Sequence, residues 1–212
     1  MKRLFTILLL MITVPAFAYE VSNRTDGKFE KMAQSVGYTI LNSNKIPYRT
    51  SFSISKKDYA NAATRYRGKD IVVTKGLFRV INTEDELAAV LAHEISHVVD
   101  YNQGIMKGYF SSVSTSISPR KYEKLADKRA VDYLVNAGYN PVASIVVLNK
   151  IGDEQRYEIF SSHPVTSKRL FAIYEYIYKK YPQYLVNNSF KDDLAYQNFL
   201  LTSKESRKNI RR

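Results

Sequence analysis

Two histidines one helical turn apart, with a glutamate next to the first, are the residues of this sequence best suited to hold a metal ion. They lie in the segment His93-Glu94-Ile95-Ser96-His97. Because positions i and i+4 share one face of an α-helix, both imidazoles can reach the same ion while Glu94 lies beside them. This spacing therefore predicts half of a zinc site, with one Zn²⁺ per chain.

The third metal ligand is expected to be a carboxylate. The chain has no cysteine and only 3 histidines, and a catalytic zinc takes three protein ligands and keeps one position open for water. Glu123 and Asp127 share a face of the next predicted helix. We expect Glu123 to bind the ion and Asp127 to accept a hydrogen bond from the second ring nitrogen of His93 or His97. The alternative is that this acidic pair belongs to the solvated face of a lysine-rich helix.

The elements that must position these residues are mostly helices. Thr83 and Glu86 predict a capping box at the start of the helix that carries both histidines, and Gly104 marks its end. The apolar stripe of this helix consists of Leu87, Leu91, Ile95 and Val98. The fold class is α+β, helix-dominated, with a small strand-rich layer beside the zinc helix. The predicted elements are helices at 28–41, 83–104, 118–137, 140–152, 166–181 and 190–201, and strands at 49–55 and 71–74.

The first 18 residues are predicted to be a secretory signal peptide. Two basic residues precede an apolar run from Leu4 to Val14, and Ala16-Phe17-Ala18 provides a small-residue cleavage site. An uncleaved anchor is the alternative, but spanning a membrane takes about 20 apolar residues. We therefore expect a signal peptide at 1–18, a single domain at 19–202 and a basic tail at 203–212. The predicted location is the periplasm, with secretion as second choice.

The chain is basic, with a formal net charge of +12. Removing the signal peptide takes away two basic residues and no acidic one, which leaves +10. The last ten residues carry five basic side chains and one acidic side chain, a net charge of +4. This tail is either a solvated terminus or a segment attracted to an anionic membrane surface. No nucleic-acid-binding signature accompanies the charge, so nucleic acid is not an expected partner.

Four motifs follow one another between about Phe29 and Tyr178. They are Thr83–Ala92 leading into the two histidines, Glu123-x-x-Ala126-Asp127, Ala137-Gly138-Tyr139-Asn140-Pro141, and His163-Pro164-x-x-x-x-Arg169. In this order they resemble the gluzincin metallopeptidases of family M48, which includes HtpX, BepA and the CAAX prenyl endopeptidases. The resemblance implies a gluzincin metallopeptidase fold.

The same resemblance implies a role for each site residue. It makes His93, His97 and Glu123 the zinc ligands and Glu94 the general base, with Asp127 behind the ligands. His163 would donate to the oxyanion during catalysis or occupy the open zinc position and hold the enzyme latent, and the alternative is a histidine that merely starts a helix. Arg169 would pair with a carboxylate near the site or contact substrate.

Asn61 and Ala62 resemble the edge strand along which gluzincins bind an extended substrate. In such β-augmentation the main-chain hydrogen bonds hold the peptide with little sequence preference. An aromatic residue often follows the Asn-Ala pair in this group, whereas Ala63 and Thr64 follow it here.

Three functions are consistent with these patterns. The first is a zinc-dependent endopeptidase that hydrolyses peptide bonds of unfolded or misassembled envelope proteins. The second is a zinc-dependent chaperone or assembly factor for envelope proteins, in which proteolysis is rare or gated. The third is a basic envelope-surface binding module with a structural zinc, which would need a fourth protein ligand. The oligomeric state is left open by the sequence.

Overall fold

A computed structural model describes residues 27–65, 68–104, 120–154 and 167–210. The predicted signal peptide and His163 lie outside these ranges, as do the last two residues. The α+β class is confirmed, since helices dominate the described residues and accompany a three-stranded sheet. The helices are α1 (27–43), α2 (Leu77–Val80), α3 (Glu84–Asn102), α4 (Arg120–Asn136), α5 (Ala143–Glu154), α6 (Ser167–Lys180), α7 (Gln183–Val186) and α8 (Leu194–Ile210). The strands are β1 (Ser51–Ser55), β2 (Ala62–Arg65) and β3 (Asp70–Thr74).

The sheet has the strand order β1-β3-β2, so β2 is an edge strand. It pairs antiparallel with β3, with Ala62 opposite Val73 and Thr64 opposite Ile71. Asn61 lies just before the strand, and its carbonyl oxygen accepts a hydrogen bond of 2.9 Å from the Thr74 amide. The segment that we expected from its resemblance to be an edge strand therefore lies at an edge.

Helix α3 lies at the centre of the fold and packs against β2, α4 and α5. Its predicted apolar stripe of Leu87, Leu91, Ile95 and Val98 is fully buried. The Thr83 side chain caps the helix by accepting a hydrogen bond of 3.2 Å from the Glu86 amide. The other half of the capping box differs from the prediction, because the Glu86 carboxylate binds Lys150 at 3.0 Å and accepts a hydrogen bond from the Asn82 amide. Tertiary contacts thus replace one local bond.

Helix ends were predicted well where glycine adopts a positive φ. Gly104 follows α3 with φ 74° and Gly138 follows α4 with φ 81°, conformations that glycine adopts without strain. Three other helix ends were wrong. Helix α5 continues through Gly152, and α8 begins at Leu194 and runs beyond Leu201.

Helix α1 packs closely against strand β1, with Gly37 next to the Phe52 ring. A Cβ on Gly37 would lie 2.2 Å from the Phe52 ring of β1, so only glycine fits there.

In the described part of the chain, no helix combines the length and the hydropathy that crossing a membrane requires.

Candidate metal centre

The predicted ligand atoms converge between α3 and α4. The Nε2 atoms of His93 and His97 lie 3.1 Å apart. Glu123 approaches both from α4, with Oε2 at 3.3 Å from His93 Nε2 and Oε1 at 3.5 Å from His97 Nε2. A group of three residues able to hold one metal ion therefore forms from the two helices.

The distances between these donor atoms fit a tetrahedral zinc ion. In a tetrahedral shell with bonds of about 2.0–2.1 Å, neighbouring donors lie about 3.3 Å apart. The three observed separations bracket this value. Two imidazole nitrogens and one carboxylate form a donor set that suits zinc, and they leave one position for water. His93 retains 14% exposure of its side chain, whereas that of Glu123 is fully buried, so the centre opens on the His93 side.

The charges around the two imidazoles also fit a divalent cation. Among the described residues, four buried carboxyl groups lie there: Glu94, Asp100, Glu123 and Asp127. Two arginines, Arg129 and Arg169, pair with three of them. When all six groups are ionised, two negative charges remain in excess. Because a buried charge is costly without a counter-charge, an ion of charge +2 would neutralise this cluster.

Asp127 lies behind His93, as one of the two predicted arrangements requires. Its Oδ1 lies 3.0 Å from His93 Nδ1, the nitrogen that faces away from the ligand cluster. Arg169 binds the same carboxylate with two hydrogen bonds, of 2.8 and 2.7 Å. It also reaches Glu123 Oε2 with Nη1 at 3.1 Å. Arg169 is buried, with 3% of its surface exposed, and so contributes to the site as a carboxylate partner.

These contacts shift the pKa of His93 strongly. Burial alone lowers the pKa, but the hydrogen bonds to Asp127 and Glu123 and the negative charges of both residues raise it to about 10. For Asp127, burial raises the pKa of the carboxyl group, but Arg169 and His93 lower it below its ordinary value. In the metal-free site His93 is therefore a positively charged imidazolium at neutral pH, with both ring nitrogens protonated. A metal ion that binds Nε2 must displace one of these protons.

Glu94 is oriented by the edge strand. Its carboxylate is 3% exposed, and Oε2 accepts a hydrogen bond of 2.8 Å from the Thr64 hydroxyl of β2. Thr64 was noted in the sequence only as a departure from an aromatic residue. Its signal was the alternation along the strand, because Ala62 and Thr64 point to the same side of the sheet.

Asp100 and Arg129 were missed in the sequence. Asp100 is fully buried, its Oδ2 lies 4.0 Å from His97 Nδ1, and its Oδ1 binds Arg129 of α4. A signal was present, because Asp100 follows His97 by three residues and therefore lies on the same helix face.

An apolar cavity of about 60 Å³ adjoins the candidate centre. His93 and Glu94 form part of its wall, together with Ala62 of the edge strand. Its aliphatic lining consists of Ala89, Val90, Val147, Leu148, Ile151 and Ile173. The cavity thus connects the candidate base, the edge strand and an apolar surface.

Comparison with known proteins finds a family to which part of the chain is similar. The model of peptidase family M48 matches residues 23–113, which contain β2, the capped start of α3 and both histidines. Residues 23–113 of this chain are therefore similar to peptidase family M48. The family match ends before Glu123, so the third ligand rests on the geometry of α4.

The chain also has curated relatives at modest identity. It is 28% identical over 171 residues to the β-barrel assembly-enhancing protease of Yersinia pestis, covering 62% of this chain and 35% of that protein. It is 27% identical over 169 residues to the protein of the same name from Escherichia coli strain K12, covering 61% of this chain and 34% of the relative. The chain thus spans about a third of the length of these relatives.

Proposed function

We propose that this chain is a zinc-dependent endopeptidase with its active site between α3, α4 and β2. The observation that carries the proposal is the convergence of His93 Nε2, His97 Nε2 and the Glu123 carboxylate, with separations of 3.1 to 3.5 Å. In this proposal these three residues bind one Zn²⁺, within a single domain of residues 19–202. The similarity of residues 23–113 to peptidase family M48 supports the same function.

Each residue of the proposed active site has a separate role in peptide hydrolysis. A zinc ion bound at the three ligands supplies a Lewis acid that acidifies water and polarises the scissile carbonyl. Glu94 accepts a proton from the attacking water while the new carbon–oxygen bond forms. It then transfers that proton to the nitrogen of the leaving amine as the carbon–nitrogen bond breaks. Asp127 orients His93 through Nδ1, and Arg169 holds Asp127 in place.

The substrate in this proposal is an extended polypeptide that binds along β2. An edge strand offers unpaired main-chain groups, and Asn61 and Ala62 lie where the strand begins. The aliphatic cavity beside Glu94 would receive one apolar substrate side chain, since most of its lining residues are aliphatic. Unfolded proteins expose both main-chain groups and apolar side chains. They therefore suit a site that combines an edge strand with one apolar pocket.

His163 keeps both of its predicted roles within the proposal. It would donate a hydrogen bond to the oxyanion or occupy the open zinc position and hold the enzyme latent. Either role requires the motif before α6 to reach the metal. Arg169 is the last residue of that motif, five residues after Pro164 and in the first turn of α6, and it lies in the site.

We place the protein in the periplasm, with secretion as second choice, because residues 1–18 have the pattern of a cleavable signal peptide. Its proposed substrates are unfolded or misassembled envelope proteins. The name of these relatives, β-barrel assembly-enhancing protease, supports a second candidate function as an assembly factor with gated proteolysis. The basic tail at 203–212 would favour anionic membrane surfaces in either case.

The test is Glu94→Gln in the purified chain without its predicted signal peptide. Zinc content and cleavage of casein and of an unfolded outer-membrane β-barrel protein are measured with and without a chelator. We expect Glu94→Gln to keep its zinc and to lose activity by about 10²- to 10⁴-fold. Glu175→Gln, an exposed glutamate on α6, is the matched control and should behave as wild type. Retained turnover in Glu94→Gln would refute the assignment.

The assembly-factor function is separated by a second measurement on the same variants. Suppression of aggregation of the unfolded β-barrel protein is compared between wild type and Glu94→Gln. Equal protection by both, with little cleavage by either, would favour the assembly factor. Protection that depends on cleavage would favour the endopeptidase.

A further inference from the structure

The two candidate zinc histidines have similar surroundings on the side away from the metal. Behind His93 lies Asp127 of α4, which is held by Arg169 of α6. Behind His97 lies Asp100 of α3, which is held by Arg129 of α4. Each histidine therefore faces a carboxylate that an arginine from a neighbouring helix neutralises.

Asp100 has one oxygen that the local structure leaves unused. Its Oδ1 binds Arg129, whereas its buried Oδ2 accepts no hydrogen bond from any residue within the described ranges. A fully buried carboxylate oxygen is costly unless it has a donor, so such an oxygen calls for a specific explanation. The nearest ring nitrogen is His97 Nδ1, at 4.0 Å.

The tautomer of His97 decides whether a donor faces this oxygen. When Nε2 of a neutral imidazole binds a metal ion, its proton must be on Nδ1. His97 Nδ1 would then be the N–H group nearest to Asp100 Oδ2, and a shift of about 1 Å from the observed 4.0 Å would form a hydrogen bond. A carboxylate behind a ligating histidine fixes the ring orientation and raises the basicity of the metal-binding nitrogen.

We propose that Asp100, held by Arg129, is a positioning residue that orients His97 for metal binding. This inference rests on the proposed zinc function and adds a second buried pair to the pair formed by Asp127 and Arg169. The two positioning carboxylates come from different helices, Asp127 from α4 and Asp100 from α3. The two imidazoles are thereby held independently, one from α4 and one from within α3.

The test measures zinc affinity rather than cleavage. The zinc dissociation constant of Asp100→Asn is determined by competition with a chromogenic chelator, and the metal-free stability is measured by urea unfolding. We expect zinc affinity to fall about 10- to 100-fold. Asp132→Asn is the matched control, because Asp132 on α4 also accepts hydrogen bonds from Tyr176 and Lys180 of α6 and from Tyr181 just after it. It should lose stability without a change in zinc affinity.

A spectroscopic readout distinguishes orientation from a general loss of stability. In the zinc-loaded wild type, the His97 Nδ1–H proton should be slow to exchange with solvent, and its exchange should accelerate in Asp100→Asn. Arg129→Lys should preserve most of the zinc affinity, whereas Arg129→Met should weaken it. If Asp100→Asn does not fold, these two variants decide the question, because both leave Asp100 in place.

The negative outcomes distinguish a failure of the proposed zinc function from a failure of the positioning role. Wild type that binds no zinc would overturn the proposed function itself. Wild type that binds zinc, with unchanged zinc affinity in folded Asp100→Asn or in Arg129→Met, would overturn the positioning role alone. An equal loss of affinity in Asp132→Asn would also overturn it.

Discussion

Thr64 of the edge strand β2 donates a hydrogen bond of 2.8 Å to the carboxylate of Glu94 on α3. The same hydroxyl lies 3.1 Å from the Glu94 carbonyl oxygen, so the strand contacts both the side chain and the backbone of this residue. The strand that we propose to bind substrate is therefore also the strand that orients the proposed base. Substrate position and base position are coupled through one side chain.

Replacing Thr64 by valine should lower kcat without removing zinc. Valine keeps the shape and β-branching but has no hydroxyl, so the Glu94 carboxylate loses a hydrogen bond of about 1.5–3 kcal/mol. We expect kcat to fall by about 10-fold or more. Thr64→Ser, which retains the hydroxyl, is the control and should keep most of the activity. Wild-type kcat in Thr64→Val would show that the contact has no part in catalysis.

Removing the metal should make stability depend on pH. The pKa of His93 rises from 6.5 to about 10 in the metal-free fold, so protonated His93 stabilises that fold. This contribution is fully present below pH 6.5 and is lost as the pH rises through about 10. Urea unfolding in the presence of a chelator should therefore show falling stability across this window. The zinc-loaded protein should not show this loss, because its His93 has already released the proton.

The same experiment on His93→Asn provides the control for the pH effect. This variant lacks the titrating imidazole, so its metal-free stability should change less between pH 6.5 and about 10. An equally steep loss in the variant would assign the pH dependence to another group.

Breaking the buried pair of Arg169 and Asp127 should cost far more than breaking a similar pair at the surface. Arg169→Met leaves two buried carboxylates without their arginine and should lower the free energy of unfolding by about 3–5 kcal/mol. The matched control is Arg79→Met, because Arg79 and Asp58 have the same separation of 2.7 Å but are largely exposed. That variant should lose about 0–1 kcal/mol. Equal losses in the metal-free protein would contradict the argument from burial.

Filling the cavity should change the cleavage preference. Ala89 lines the apolar cavity beside Glu94, and Ala89→Leu would occupy most of its volume of about 60 Å³. We expect kcat/KM to fall about 10-fold or more for peptides with a large aliphatic residue at the cleavage site. Peptides with glycine or alanine at that position are the internal control and should be cleaved as before. A uniform loss over all peptides would indicate a folding defect instead.

The spacing of the sequence was enough to predict the helical half of the metal centre. Because helix geometry is local, His93 and His97 had to share a face once their segment was helical, and the Thr83 cap and buried stripe predicted that helix. The positive φ of Gly104 and Gly138 likewise follows from local backbone energetics. Such features need no knowledge of distant parts of the chain.

Tertiary packing decided which residues lie behind the ligands. In the sequence, Asp127 could have faced either histidine, and only the placement of α4 against α3 puts it behind His93. Thr64 and Arg129 reach the site from other elements, so their roles depend on contacts across 30 and 29 residues of chain. The helix ends predicted at Gly152 and Leu201 were also wrong. A single glycine lowers helix stability by only about 1 kcal/mol, so Gly152 does not end α5 by itself.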